Sequence, residues 1–185
     1  GETDWNRDGR IQGWAPSTLT DRGREQARTL GSYLADTYDF DRLVASDLRR
    51  TRETTELLRE HGVAAEPDFD RTWRERDFGV YQGFTRTEFF EQYPEFDAKS
   101  GVSAIRERPE RGESLLEARE RVLDSWRRLT DDATGETVLV VAHGGPIYFV
   151  LGHARDQDVQ TAITSHSQHN CAINELRVGE TIDVI

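Results

Sequence analysis

Three residue types are scarce in the 185-residue sequence, which has no methionine, one cysteine and one lysine. The single cysteine, Cys171, excludes a disulfide within the chain and favours a reducing compartment such as the cytoplasm. No apolar run approaches the roughly 18 residues that a membrane-spanning helix requires, so no membrane partner is expected. Because methionine is absent, we expect that Gly1 is not an intact translation start.

Positive charge is also scarce, since 24 Lys and Arg residues stand against 35 Asp and Glu residues, for a formal net charge of −11. This balance disfavours nucleic acid as a partner, because non-specific binding to nucleic acid requires a basic surface. All basic residues but one are arginine, and such an acidic, lysine-poor composition is typical of salt-loving (halophilic) organisms. An anionic ligand would have to be bound by a local cluster of arginines.

Helical and strand patterns alternate along the chain. Apolar spacing and capping residues predict helices over 20–38, 48–61, 86–93, 114–129 and 146–153. Short apolar runs predict strands over 42–46, 137–142, 171–178 and 181–185, the second of them buried on both faces. Pro94, Pro109 and two glycines make 94–112 a predicted loop or lid. The alternation indicates one α/β domain with a mainly parallel sheet, which binds ligands at the carboxyl ends of its strands.

The first candidate site is the stretch 45–55, where a strand is predicted to end at Ser46 and a helix to begin. Arg49, Arg50 and Arg52 lie near the first turn of that helix. Free backbone N–H groups and guanidinium groups together suit an anion such as phosphate. The helix dipole disfavours cations at the N-terminus of a helix, so the placement of three arginines there suggests a function. Taken alone, the stretch is explained equally well by surface charge.

The second candidate is His143, which directly follows the buried strand and precedes Gly144 and Gly145. Two glycines at this position allow a ligand to approach the backbone closely. The imidazole could donate a hydrogen bond to a phosphoryl oxygen or act as an acid or base, although a histidine satisfied within the core is the commoner case.

The third candidate is Glu75, which lies between Arg74 and Arg76 in the segment 73–83. A carboxyl group beside a bound anion is suited to act as a general acid. Taken alone, the same three residues are more often a surface ion pair.

The order of five segments is much more specific than any one of them. GETDWNRDGRIQGW…LTDRGREQA, SDLRRTRET, RERDFGVYQG, GES and VVAHGGPI resemble, in this order, the landmarks of the histidine phosphatase superfamily, which includes the cofactor-dependent phosphoglycerate mutases. The resemblance extends over essentially the whole chain. It implies a single domain over 1–185 with a phosphoglycerate mutase-like fold, a three-layer α/β/α sandwich around a mainly parallel central sheet.

The resemblance also implies a reaction, in which a histidine takes up the phosphoryl group and water then hydrolyses the phosphohistidine, without a metal or other cofactor. Arg50 of SDLRR resembles the arginine that clamps the phosphate, and His143 of AHGG resembles the second histidine of the site. Glu75 of RERDFG resembles the proton donor to the leaving oxygen. The arginine and the second histidine would stabilise the charge of the transition state.

Further residues are expected around the phosphate. They are Asn6, Gln12 and Gly13 of the first loop, which Glu2 and Thr3 complete, and Gly144 after the second histidine. Arg49, one position from Arg50, is expected to face outward and to be structural.

The first motif of the family normally reads Arg-His-Gly-Glu, and this sequence begins at the Gly-Glu pair. We therefore expect the nucleophilic histidine and a first phosphate-binding arginine in the two positions ahead of Gly1, on a central strand of the sheet. Without that strand, backbone groups would be unpaired and a large apolar gap would result. The other histidines lack this context; they are His61, His153, His166 and His169.

The sequence therefore predicts a phosphomonoesterase that acts on small phosphorylated metabolites. The segment 84–112 is interpreted as the variable substrate loop, and it lacks the longer basic insertion of the resembling mutases. Candidate activities are, in order, α-ribazole phosphate phosphatase, sugar-phosphate phosphatase and phosphoglycerate mutase. Two other classes stay open, a nucleophile-lacking pseudoenzyme that binds a phospho-ligand and a metal site at His166, His169 and Cys171. A homodimer is also left open.

Overall fold

A three-stranded parallel sheet forms the centre of the protein in a computed structural model that describes residues 1–185. Strand β1 spans Arg42–Ala45 and lies between β2, Pro67–Phe69, and β3, Val138–Val141. The register places Leu43 opposite Leu139. A separate antiparallel hairpin follows near the end of the chain and consists of β4, Leu176–Val178, and β5, Ile182–Val184.

Seven α-helices surround the sheet. They are α1 Asp4–Arg7, α2 Asp21–Thr37, α3 Arg49–Glu60, α4 Arg86–Gln92, α5 Leu115–Asp132, α6 Gly144–Ala154 and α7 Val159–Ser165. The five predicted helices are confirmed with small changes at their ends. Local capping explains these ends: Thr20 Oγ1 accepts a hydrogen bond from Gly23 N at the start of α2, and Ser114 and Glu117 form the predicted capping box of α5.

The alternation of side chains along the strands produces two apolar layers, one on each face of the sheet. Val44, Val138 and Val140 pack on one face with residues of α5 and α6. Leu43, Ala45, Leu139 and Val141 pack on the other face with residues of α2 and α3. These two layers and the sheet form the expected α/β/α sandwich.

The structure refines three expectations for individual segments. The predicted loop or lid 94–112 contains three short 3₁₀ helices, Pro94–Phe96, Ala98–Ser100 and Val102–Ile105, and no α-helix or strand. The predicted strand 171–178 contains only the three residues of β4. Side chains of β3 pack on both faces of the sheet, as predicted, but they are only partly buried, because this strand pairs along one edge only. None of the helices is both long and apolar enough to cross a membrane.

Among the α-helices and strands, three were not predicted from the sequence. They are the short helix α1, the edge strand β2 and the helix α7. Each is short, and apolar periodicity cannot be recognised over so few residues. Tertiary contacts stabilise two of them, α7 through its packing against α6 and β2 through its pairing with β1.

Candidate active site

Arg50 extends from the first turn of α3 across the carboxyl end of β1 to the loop that follows α1. Only 8% of the residue is exposed. Its Nη2 donates a hydrogen bond to Gly13 O at 2.8 Å, and its Nη1 donates to Ala15 O at 3.3 Å. Arg49, the next residue around the helix, faces solvent, which confirms its predicted outward orientation.

His143 lies at the carboxyl end of β3, between Arg50 and the end of β1. Its Nδ1 is 3.2 Å from Arg50 Nη2, and its Nε2 is 2.8 Å from Ser46 Oγ and 3.2 Å from Thr51 Oγ1. A guanidinium group can only donate hydrogen bonds, so Nδ1 is the acceptor and the proton of the neutral ring lies on Nε2. The two sequence candidates Arg50 and His143 are therefore in direct contact.

Glu75 joins this pair through the start of α6. Its Oε2 accepts a hydrogen bond from Gly145 N at 3.1 Å, and its Oε1 accepts from Arg76 N at 2.8 Å. The backbone carbonyl of Glu75 accepts from Trp14 Nε1 at 2.7 Å. The carboxylate thus binds the backbone two residues after His143, and all three candidates line the same cavity.

The two helices that begin at this site differ from the others at their N-termini. Neither α3 nor α6 has a side chain that caps its first turn. The other five α-helices all have such a cap, supplied by Thr3, Thr20, Thr85, Ser114 and Asp158. An uncapped helix start leaves backbone N–H groups and the positive end of the helix dipole free to bind an anion. Two such starts converge beside Arg50 and His143.

The first loop contributes backbone and amide groups. Gly13 provides the carbonyl that accepts from Arg50, and its positive φ of 50° favours glycine. Gln12 Oε1 accepts from Ser17 Oγ, and Asn6 Oδ1 accepts from the backbone N–H of Thr3. Thr3 Oγ1, which has one proton to donate, lies 2.9 Å from Gln12 Oε1 and 3.0 Å from Asn6 Oδ1. The amide NH₂ groups of Asn6 and Gln12 make no hydrogen bond with the protein, and both residues line the cavity. These free donors are suited to phosphoryl oxygens.

The second glycine after His143 is closer to the predicted proton donor than the first. A Cβ atom at Gly145 would overlap Glu75 Oε1. At Gly144, the predicted substrate-binding glycine, a Cβ would meet only the ring of Tyr148, at 3.7 Å and beyond. The need for glycine is therefore stricter at position 145.

Burial sets the protonation of the two basic groups. Burial lowers the pKa of Arg50 to about 10, so the guanidinium is still charged at neutral pH. Burial also lowers the pKa of His143 well below 6.5, and the nearby charge of Arg50 lowers it further. His143 is therefore neutral at pH 7, and the positive charge beside it is that of Arg50.

Sequence reasoning missed three residues of this site, namely Ser46, Thr51 and Gly145. Ser46 is fully buried and contacts a histidine 97 positions later in the chain. Its position at the end of a predicted strand was a signal, since such positions face the ligand edge of a parallel sheet. Thr51, next to Arg50, had no signal of its own.

The remaining sequence candidates lie apart from these contacts. His166 Nδ1 is 3.2 Å from Arg155 Nη1, its Nε2 is 3.0 Å from Gln157 Oε1, and no three His, Cys, Asp or Glu side chains gather in a way that could hold a metal. The five cationic residues of the segment 84–112 are all exposed; they are Arg86, Lys99, Arg106, Arg108 and Arg111. The segment is anchored instead by an aromatic cluster that includes Phe89 and Phe96.

Comparison with known proteins decides the family. A sequence model of the histidine phosphatase superfamily, branch 1, matches residues 1–182. The chain belongs to this superfamily.

Relatives within the histidine phosphatase superfamily include both mutase-like proteins and phosphatases. The chain is 34% identical to phosphoglycerate mutase-like protein 4 of Arabidopsis thaliana, over 84% of this chain and 68% of the relative. It is 30% identical to the uncharacterized phosphatase PhoE of Bacillus subtilis, over 82% of this chain and 72% of the relative. The solved structure of Bacillus stearothermophilus YhfR is 29% identical and superposes with a TM-score of 0.88, covering 100% of this chain and 91% of the other.

Proposed function

We propose that this member of the histidine phosphatase superfamily is a phosphomonoesterase that hydrolyses small phosphorylated metabolites through a phosphohistidine intermediate. The observation that carries the proposal is the convergence of Arg50, His143 and Glu75 from three separate segments at the carboxyl ends of β1 and β3. Phosphoryl transfer requires positive charge around the transferred group and a proton donor at the leaving oxygen. This site supplies both.

Arg50 and the two uncapped helix starts would hold the phosphoryl oxygens. The guanidinium is buried and charged, so its attraction for a dianion is stronger than that of an exposed arginine. His143 is neutral in the free protein, and a bound dianion would favour its protonated form. A protonated His143 would then donate a hydrogen bond to the phosphoryl group as charge develops in the transition state.

Glu75 would serve as the general acid and then as the general base. Protonated Glu75 gives its proton to the leaving oxygen as the P–O bond of the ester breaks, and the resulting carboxylate takes a proton from the water that attacks the phosphohistidine. Gly145 N–H and Arg76 N–H hold the two carboxylate oxygens in place.

We expect Glu75→Gln to slow hydrolysis of alkyl phosphates far more than that of p-nitrophenyl phosphate, whose leaving group needs little protonation. Equal losses with both esters would contradict the acid role.

The proposed nucleophile is the histidine that the family resemblance implies ahead of Gly1. Gly1 lines the same cavity as Arg50, His143 and Glu75. A residue joined ahead of Gly1 would therefore enter the site. The test is to trap the acid-labile, alkali-stable phosphohistidine and locate it by peptide mass. A phosphoryl group on any histidine of residues 1–185 would contradict this assignment.

One set of assays identifies the substrate and distinguishes the phosphatase from the mutase and the pseudoenzyme. About fifty phosphate monoesters, including 3-phosphoglycerate, α-ribazole phosphate and sugar phosphates, are incubated with the protein as its gene encodes it. Release of inorganic phosphate supports the phosphatase, whereas conversion of 3-phosphoglycerate to 2-phosphoglycerate would indicate the mutase. Saturable phosphate binding without turnover of any ester would indicate a pseudoenzyme. The exposed cations and short helices of 84–112 favour the phosphatase with this segment as the substrate lid.

We also infer a cytoplasmic protein of a halophilic organism, which the single cysteine and the net charge of −11 support. The measurement is thermal unfolding between low and molar KCl, with a rise in Tm expected if salt screens repulsion between the excess acidic residues. An unchanged Tm would contradict this setting. Sedimentation of the same samples decides between a monomer and a homodimer.

A further inference from the structure

Glu113 of the GES segment forms an ion pair with Arg121, and the proposed reaction assigns no role to this pair. Glu113 precedes the N-cap of α5, and Arg121 lies two turns into that helix. Arg121 Nε and Nη2 donate to Glu113 Oε1 and Oε2, both at 2.8 Å. Each side chain is only 18% exposed, so the pair is largely withdrawn from water.

The other donors of Arg121 all go to backbone carbonyls of one short segment. Its Nη1 donates to Thr72 O at 2.8 Å and to Arg74 O at 3.1 Å, and its Nη2 donates to Glu75 O at 3.3 Å. A guanidinium group has five N–H donors. The three hydrogen bonds to carbonyls and the two to the Glu113 carboxylate use all five. Arg121 therefore binds the backbone on the N-terminal side of Glu75 and at Glu75 itself.

Glu113 holds the same segment on the other side of Glu75. Its Oε2 accepts from Asp77 N at 3.1 Å, its own N–H donates to Asp77 O at 2.9 Å, and its carbonyl accepts from Arg76 Nε at 2.8 Å. Arg76 is itself buried, and burial lowers its pKa to about 10. The backbone before and after Glu75 is thus fixed to a single ion pair.

We propose that the Glu113–Arg121 pair is the positioning device for Glu75, which it holds by the backbone so that the carboxyl group meets Gly145 N and the leaving oxygen. The proposal rests on the proposed acid role of Glu75. Neither partner of the pair touches the Glu75 carboxylate, whose oxygens go to Arg76 N and Gly145 N. The pair therefore leaves the carboxyl group free to exchange protons while it fixes the position of the residue.

A merely stabilising role would not require this arrangement. A largely buried ion pair loses hydration, and apolar side chains often stabilise a fold equally well. The planar fork of arginine, in contrast, can fix several carbonyls in one geometry, which lysine cannot do. Trp14 Nε1 donates to the same Glu75 carbonyl as Arg121, so this indole reports the position of the Glu75 backbone.

The test compares Arg121→Lys, Arg121→Gln and Glu113→Gln. The first readout is NMR of the phosphatase with any residues that its gene encodes ahead of Gly1. It follows two signals, the Trp14 indole N–H, assigned through Trp14→Phe, and the Gly145 amide. We expect both signals to shift in all three variants, least in Arg121→Lys. Arg24→Gln is the matched control, because it breaks a 2.8 Å ion pair with Glu53 that joins α2 to α3, and it should leave both signals in place.

The second readout is the leaving-group dependence of kcat, measured on the phosphatase with any residues that its gene encodes ahead of Gly1. Arg121→Gln should lower kcat for an alkyl phosphate at least tenfold more than for p-nitrophenyl phosphate, with KM changed little. Equal losses for both esters, or unshifted Trp14 and Gly145 signals, would overturn the positioning role. If Arg121→Gln does not fold, Arg121→Lys decides in the same way. Equal losses in Glu75→Gln would instead overturn the acid role itself.

Discussion

Gly145 and Glu75 approach so closely that a Cβ atom at position 145 would overlap Glu75 Oε1. Gly145 N also donates to the other carboxylate oxygen at 3.1 Å. We expect Gly145→Ala to displace the carboxylate and to lower kcat for alkyl phosphates at least tenfold, which corresponds to about 1.4 kcal/mol of transition-state stabilisation. Gly144→Ala is the matched comparison, because its Cβ would make only ordinary contact with Tyr148. A loss in Gly144→Ala as large as that in Gly145→Ala would contradict this account.

Arg50→Ala should lower kcat/KM by more than tenfold. Arg50 is buried and charged, and a charge-assisted hydrogen bond contributes about 1.5–3 kcal/mol, so its loss weakens the hold on the phosphoryl group. Arg50→Lys retains a charge but cannot contact Gly13 O, Ala15 O and His143 together, and it should recover only part of the activity. Steady-state kinetics with p-nitrophenyl phosphate provide the measurement. A value near wild type for Arg50→Ala would count against the assigned site.

His143 should make stability depend on pH in the mildly acidic range. Its pKa is lowered in the folded state, first by burial and then by Arg50, so the unfolded chain binds the proton first as the pH falls. The free energy of unfolding is therefore not reduced by His143 above about pH 6.5, the ordinary pKa of histidine, and it decreases as the pH falls below that value. Urea unfolding at several pH values should show that wild type loses stability on acidification relative to His143→Gln. Parallel curves for the two proteins would exclude this linkage.

Asp47 and Arg74 should stabilise the loops that hold Ser46 and Glu75. The Arg74 Nε and Nη2 atoms each donate to the Asp47 carboxylate at 2.6 Å, and this hydrogen bonding lowers the pKa of Asp47 below 3.8. We expect Asp47→Asn to cost about 1–2 kcal/mol at pH 7.

The contribution of Asp47 is present above about pH 4 and is lost as the pH falls through the lowered pKa, so the difference from wild type should shrink in acid. Asp124→Asn, which breaks an exposed pair with Arg127, should change stability by less than about 0.5 kcal/mol. Denaturant unfolding measures both variants. An Asp47→Asn cost no larger than the Asp124→Asn cost would contradict the structural role.

Local signals predicted much of the fold. The helix that begins after Thr20 and the helix that begins after Ser114 form where apolar spacing and capping residues agree, and both are properties of a few neighbouring residues. The 3₁₀ helices of the segment 94–112 were not predicted, because Phe96 packs with aromatic residues outside the segment, such as Phe78 and Tyr81, which no local pattern reveals. The exposure of β3 likewise depends on what lies beside the strand in space.

The sequence by itself determined the residue types of the candidate site and the strands near whose carboxyl ends they lie. Arg50, His143 and Glu75 could be recognised because each lies within a short motif, SDLRR, AHGG and RERDFG respectively. Only the tertiary structure decided what these residues touch: the contact of Ser46 with His143, the need for glycine at 145 and the hold of Arg121 on the backbone of Glu75. These contacts join residues 46 to 97 positions apart, and the sequence near either partner contains no record of the other. They arise when the sheet brings its strand ends together and burial requires each polar group to find a partner.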